Sequence, residues 1–288
     1  FNERVLAAIG FDFHRGRIDA SAHPFSTTIG SDSRLTTRYD AADLGYALYS
    51  SLHEAGHGMY EQGLDPEARG LPRGSACSLG VHESQSRLWE NQVGRSRAFW
   101  EFLLPQAKAA FPQLDGIARD AVVLEVNRMA PSFIRTEADE ATYNLHILLR
   151  FELERALIAG DLAVADLADA WRGKMRDLLG VVPPDDRQGV LQDVHWSAGE
   201  FGYFPTYTLG NLYAAHLLEA AAADLGDIDA LVRAGDFTVL LGWLRERIHR
   251  HGQSWRAAEL IERATGRPAS AAPLLRHLER KVEWLEQA

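Results

Sequence analysis

Apolar positions recur at helical spacing over most of the chain. Residues 1–10 read as a short helix closed by Gly10. Leu44, Leu48, Leu52 and Met59 mark one face of a helix over residues 40–62, opened near Asp40 and Asp43 and stopped near Gly63. A loop rich in Gly, Pro and Arg follows at 64–78. Further helices are predicted over 79–103, breaking near Pro105, over 115–130, ending before Pro131, over 137–159, stopping at Gly160 and Asp161, and over 163–179. Residues 180–186 form a loop, and after Pro205 the chain reads as helical nearly to its end, with breaks near Gly226, Gly235, Gly252 and Gly266. Trp89, Trp100, Trp171, Trp243, Trp255 and Trp284 fall at core-like spacings. One stretch departs from this pattern. Residues 23–39 carry Thr-rich runs around Gly30-Ser31-Asp32-Ser33, the signature of a β-hairpin. The expected fold is mostly α, a single domain over 1–288, with one small hairpin or sheet beside the helix at 40–62.

Composition narrows the function classes. A length of 288 residues, 46% of them hydrophobic, supports a sizeable core. A net charge of −10 argues against a nucleic-acid surface. No apolar run approaches the ~18 residues of a membrane span. Cys77 is the single cysteine, so no internal disulfide can form, and no signal peptide is visible; both fit a cytoplasmic protein. The opening Phe1-Asn2-Glu3-Arg4-Val5-Leu6 reads like the tail of a helix entered from upstream, as in a processed product or a fragment.

The chemistry concentrates in His53-Glu54-Ala55-Gly56-His57, an HExxH motif. Positions four apart share a helix face, so His53 and His57 can hold one metal ion, and Glu54 can act as general base toward a metal-activated water. With 11 His in the chain, chance yields on the order of 0.03 such motifs. A catalytic zinc takes three protein ligands and an open position. No His follows His57 within two turns; the next acidic and imidazole groups suited to the role are Glu83 and its neighbour His82. A helix, a loop and a second helix can return Glu83 to the metal, with His82 as competitor.

Six ordered motifs then carry a resemblance over nearly the whole chain. They are His23-Pro24-Phe25, Asp32-Ser33-Arg34-Leu35-Thr36, the HExxH segment, His82-Glu83-Ser84-Gln85, Ile134-Arg135-Thr136-Glu137-Ala138-Asp139 and Gly189-Val190-Leu191-Gln192-Asp193-Val194-His195-Trp196. In these the chain resembles the M32 family of metallocarboxypeptidases. The resemblance implies a metal on His53, His57 and Glu83, with Glu54 as general base. It also implies a helical zincin fold of the gluzincin type, like that of neurolysin and angiotensin-converting enzyme, and a homodimer. Family members are much longer, with HExxH in their second half. This chain thus corresponds to the C-terminal portion of that architecture, without the N-terminal helical half that forms one groove wall.

The remaining site residues follow from the chemistry of the implied reaction. A tetrahedral intermediate needs donors for its oxyanion. The segment from Asp193 to Tyr207 is dense in His and Tyr, and by analogy with angiotensin-converting enzyme His195 and Tyr203 are the expected donors, with Tyr207 in reserve or contacting substrate. A terminal carboxylate suits the planar fork of an Arg, here Arg135, with Arg34 a weaker choice. The structural alternative for Arg135 is an ion pair with Glu137 or Asp139. Asp32 and Asp193 could instead orient metal-bound imidazoles. The strand edge beside the motif helix could align a peptide by strand addition. His249 and His251 read as solvent-facing, and His23 as structural. The leading function is a zinc-dependent carboxypeptidase, with Co2+ or Mn2+ also compatible with the ligand set, acting on peptides with a free C-terminus. The alternatives are an endopeptidase or dipeptide-releasing enzyme on the same scaffold, and a catalytically incomplete metal-binding or interaction module.

Overall fold

The computed structural model describes residues 1–287. In chain order it contains α1 (Asn2–Ile9), β1 (Gly16–Ala20), β2 (Phe25–Ile29), β3 (Asp32–Thr37), α2 (Leu44–Gly63), α3 (Leu79–Arg87), α4 (Arg97–Ala110) and α5 (Arg119–Val126). Then come α6 (Tyr143–Ala159), α7 (Leu167–Leu179), α8 (Pro205–Leu225), α9 (Ile228–Ala234), α10 (Phe237–Arg247), α11 (Ala257–Thr265) and α12 (Ala272–Gln287). Two compact units emerge: Phe1–Val126 together with the chain from Leu209 onward, and Asn127–Thr208. The fold is mostly helical with one small sheet, as expected.

In the larger unit, α2 is the central element. Asp43 starts it by accepting the Tyr46 N–H, and Leu48, Leu52, Ala55 and Met59 are fully buried along one face. Burying each of the Leu48, Leu52 and Met59 side chains stabilises the unit by about 1.5–3 kcal/mol. The sheet packs on α2. β3 is its middle strand, parallel to β1 and antiparallel to β2, with Leu35 opposite Ile18 on one side and Ser26 on the other. The predicted hairpin is β2–β3, turning at Gly30, where φ is +66°. β1 was not anticipated: its five residues carry a single buried apolar side chain, Ile18, and pair with β3 in parallel.

Several helix limits differ from the periodicity. The predicted helix over 79–103 is interrupted: α3 passes into a wide π-helical turn, Leu88–Val93, and Ser96 caps a new helix by accepting the Phe99 N–H. Pro105 does not end α4, which runs on to Ala110 because Leu103, Leu104 and Ala107 anchor both sides of it in the core while Pro105 faces solvent. α5 stops at Val126, short of the expected 130. In the smaller unit α6 starts at Tyr143, not 137, since Asp139 accepts the Ala141 and Thr142 N–H groups and holds a turn there. α7 begins at Leu167 rather than 163. Its core joins α6 and α7 through Leu149, Leu153, Trp171, Met175 and Leu179. The late breaks fall as expected, with Gly226, Gly235, Gly252 and Gly266 all at positive φ, where side chains are strained.

Candidate metal centre

Three side chains of the larger unit converge. His53 and His57 project from one face of α2, and Glu83 reaches the same point from α3. Glu83 Oε2 lies 3.7 Å from His53 Nε2 and 3.5 Å from His57 Nε2. A glycine makes this meeting possible. Gly56, inside the motif, faces Gln85 and Ser86 so closely that a Cβ would sit 2.6 Å from the Gln85 carbonyl oxygen. On the other side Gly210 of α8 lies where a Cβ would meet Glu83 Cγ at 2.4 Å. Glu83 is therefore clasped between two glycine-bearing helices.

The outward nitrogens of both imidazoles are occupied. His53 Nδ1 meets Glu90 Oε2 at 2.8 Å. His57 Nδ1 meets His82 Nδ1 at 2.6 Å, and His82 Nε2 meets Glu61 Oε1 at 3.0 Å. Arg87 bridges the acidic pair, donating from Nε to Glu83 at 2.7 Å and from Nη1 to Glu90 at 3.2 Å. The electrostatics follow. Burial raises the Glu83 carboxyl, but Arg87 and the two imidazoles outweigh it and hold it well below the usual range. Against the same burial, Arg87 and His53 hold Glu90 at about 2. Burial opposes charge on His53, yet Glu83 and Glu90 lift it to about 9; burial, reinforced by His82 and His53, drives His57 down to about 3. Glu54 is buried beside the cluster, and burial raises its carboxyl above the ordinary value despite His53 and a hydrogen bond with Ser26 of β2.

This donor set fits a metal ion. The three ligand atoms lie within 4.8 Å of one another. Donors on a tetrahedral zinc stand about 3.3 Å apart, close to the two separations above. Both Nε2 atoms point inward while partners hold Nδ1, and three ligands leave a position for reactants. His53, His57 and Glu83 could hold a metal ion; His82 instead stands behind His57. Of the two aspartates expected to orient imidazoles, Asp32 turns to Arg34, whose Nε donates to it at 2.7 Å. That pair is exposed on β3.

The smaller unit gathers the other predicted residues. Arg135 is buried and donates to Asp193 Oδ1 from Nε at 3.0 Å and Nη2 at 2.8 Å, and to the Tyr143 hydroxyl at 2.9 Å. Its ion-pair partner is thus Asp193, not Glu137 or Asp139. The second oxygen of Asp193 accepts from fully buried Arg150 at 2.7 Å, so Asp193 orients guanidinium groups. Burial works against Asp193, but Arg150 and Arg135 keep it below the ordinary range; burial lowers Arg150 to about 10. His195 Nε2 meets the Tyr207 hydroxyl at 2.9 Å, its ring is 5.1 Å from that of Tyr203, and the Arg135 guanidinium lies 4.7 Å from the Tyr207 ring. Burial and then Arg135 hold His195 below its ordinary value.

Pattern reading missed Glu90, Arg87 and Arg150. Glu83, Arg87 and Glu90 follow at spacings of four and three, which puts them on one helical face, a signal available in advance. It also misplaced His249, which is fully buried: its Nε2 meets Gln85 Oε1 at 2.9 Å, and its ring packs on Tyr60 where Gly63 leaves room.

Comparison with known proteins decides the family. The family described as Carboxypeptidase Taq (M32) metallopeptidase matches residues 1–282. The chain belongs to the M32 metallopeptidase family. Among M32 relatives, it is 52% identical over 286 residues to thermostable carboxypeptidase 1 of Thermus thermophilus, covering 99% of this chain and 56% of that protein. It is 42% identical over 282 residues to carboxypeptidase 1 of Bacillus subtilis, covering 97% of this chain and 56% of the relative. The crystal structure of the M32 carboxypeptidase from Deinococcus radiodurans superposes with a TM-score of 0.97 at 50% identity, covering 100% of this chain and 58% of that one. This M32 chain therefore spans about half the length of the relatives it matches. Among the described residues no helix is long and apolar enough to cross a membrane.

Proposed function

We propose that this chain is the metal-bearing portion of a zinc-dependent metallocarboxypeptidase that hydrolyses the C-terminal peptide bond of peptides. The convergence of His53, His57 and Glu83 in an M32 chain is the observation that carries this reading. Bound zinc would supply Lewis-acid polarisation of the scissile carbonyl and a lowered pKa for the attacking water. Glu54 would take that water's proton and pass it to the leaving amine. Its burial, its raised carboxyl and the hydrogen bond with Ser26 suit a base that must both accept and release a proton.

His195 and Tyr203 would donate to the developing oxyanion. Arg135 would hold the terminal carboxylate, with Tyr207 and more weakly Arg34 contacting substrate. Two buried guanidinium groups, Arg135 and Arg150, share one carboxylate in Asp193, and this local excess of positive charge favours an anion. The outer edge of β2 offers backbone to an incoming peptide, since its partner in the sheet is β3 alone. We infer further that both compact units serve one catalytic domain, and that the protein works as a cytoplasmic homodimer.

The test is amino-acid release from short peptides with free C-termini, followed by mass spectrometry on the zinc-loaded chain and its Glu54→Gln variant. The proposal predicts stepwise loss of C-terminal residues, abolished in a variant that still binds zinc. A second reading, a metal-binding C-terminal portion that needs further residues for turnover, is favoured by the 56% coverage of its relatives. It predicts zinc binding without cleavage.

A further inference from the structure

The two imidazoles of the candidate metal centre are backed differently. His53 faces a carboxylate directly, through Glu90. His57 faces another imidazole, His82, whose far nitrogen faces Glu61. His57 and Glu61 stand one turn apart on α2, and His82 reaches between them from α3. The His82 ring packs against Tyr60 at 5.2 Å, which fixes its plane.

A contact between two Nδ1 atoms 2.6 Å apart has room for one proton. A metal on His57 needs the Nε2 lone pair, so the proton of neutral His57 must sit on Nδ1. His57 then donates, and His82 must accept on Nδ1. Accepting there leaves the His82 proton on Nε2, where Glu61 Oε1 receives it. Each proton position dictates the next. Reversing the chain would put a His82 proton on Nδ1, push the His57 proton to Nε2 and close the ligand position.

We infer that His82 and Glu61 form a tautomer relay that commits His57 to present Nε2 to the metal. Both are positioning residues: they act through His57. The inference rests on the metal reading above. It goes beyond that reading in assigning the second shared proton to a partly exposed carboxylate, Glu61, two groups away from the metal.

The test uses the whole 288-residue chain labelled with 15N-histidine, with zinc alone as the probe. Zinc affinity is read by competition with a chromophoric chelator, and the His57 tautomer by 15N shifts in the metal-free chain. The relay predicts that wild type binds zinc and holds His57 as the Nδ1–H tautomer. His82→Phe should lose about 10- to 100-fold in zinc affinity and shift His57 toward Nε2–H. His82→Gln, whose amide keeps one acceptor and one donor, should recover most of both signals. Glu61→Ala should move both in the same direction by less; because Glu61 is partly exposed, this variant decides the matter if His82→Phe does not fold. Weaker zinc binding with His57 still Nδ1–H would overturn the relay, as would unchanged affinity in the variants. Wild type that binds no zinc would overturn the metal reading itself.

Discussion

Gly56 and Gln85 stand so close that a Cβ on Gly56 would lie 2.6 Å from the Gln85 carbonyl oxygen. The obstacle is backbone, so relief requires α3 to move away from α2. Glu83 is two residues from this contact, and its carboxylate would move with it. Gly56→Ala is therefore expected to cost about 1–3 kcal/mol of stability through overpacking. It should also weaken zinc binding by about tenfold or more. Urea unfolding and chelator competition read the two effects separately. Wild-type values in both would mean that the helix contact does not set the ligand geometry.

Asp193 offers a different kind of prediction. Its two oxygens serve two buried guanidinium groups. Asp193→Asn removes the charge but keeps the shape, leaving two buried cations without a counter-charge. Breaking a buried ion pair in this way costs about 3–5 kcal/mol. The exposed Arg34–Asp32 pair makes the contrast, because removing it should cost under about 1 kcal/mol. Chemical unfolding of both variants checks the ordering, and equal losses would contradict it.

Acid stability should report His146. It is fully buried on α6, and neither ring nitrogen has a hydrogen-bond partner among the described residues. Burial first, then Arg150 and Arg135, lower it to about 4. The unfolded chain takes up this proton near pH 6.5, while the folded chain does so only near 4. Stability from this group is therefore full above 6.5 and is lost as pH falls toward 4, by up to about 3 kcal/mol. Unfolding free energies at pH 7.5 and 5.0, in the presence of chelator, should show a larger drop for wild type than for His146→Leu. Parallel pH dependence would assign the acid limb to other groups.

How much of this was legible in the sequence follows from which features are local. Helix ends at Gly160, Gly226, Gly235 and Gly266 were readable because a left-handed residue is a local requirement. The β2–β3 hairpin was readable for the same reason. β1 was not, since its pairing with β3 is parallel and rests on a single buried Ile18. The HExxH pair needs only the helical repeat, and a catalytic zinc needs a third protein ligand, for which Glu83 and His82 were the downstream candidates. The contact of His82 with His57 and Glu61 depends on the close packing of α3 on α2 at Gly56, which no spacing rule reveals. His249 misled because Arg and His neighbours suggest a solvated turn; its burial comes from contacts with Tyr60 and Gln85, distant in sequence.

His53, His57 and Glu83 should share one metal ion. Anomalous diffraction at the zinc edge, from crystals of the chain grown with zinc, tests it most directly. One strong peak is expected about 2.0–2.2 Å from His53 Nε2, His57 Nε2 and a Glu83 oxygen. A peak on His82 and Glu61 instead, or none within bonding distance of the three, would contradict it.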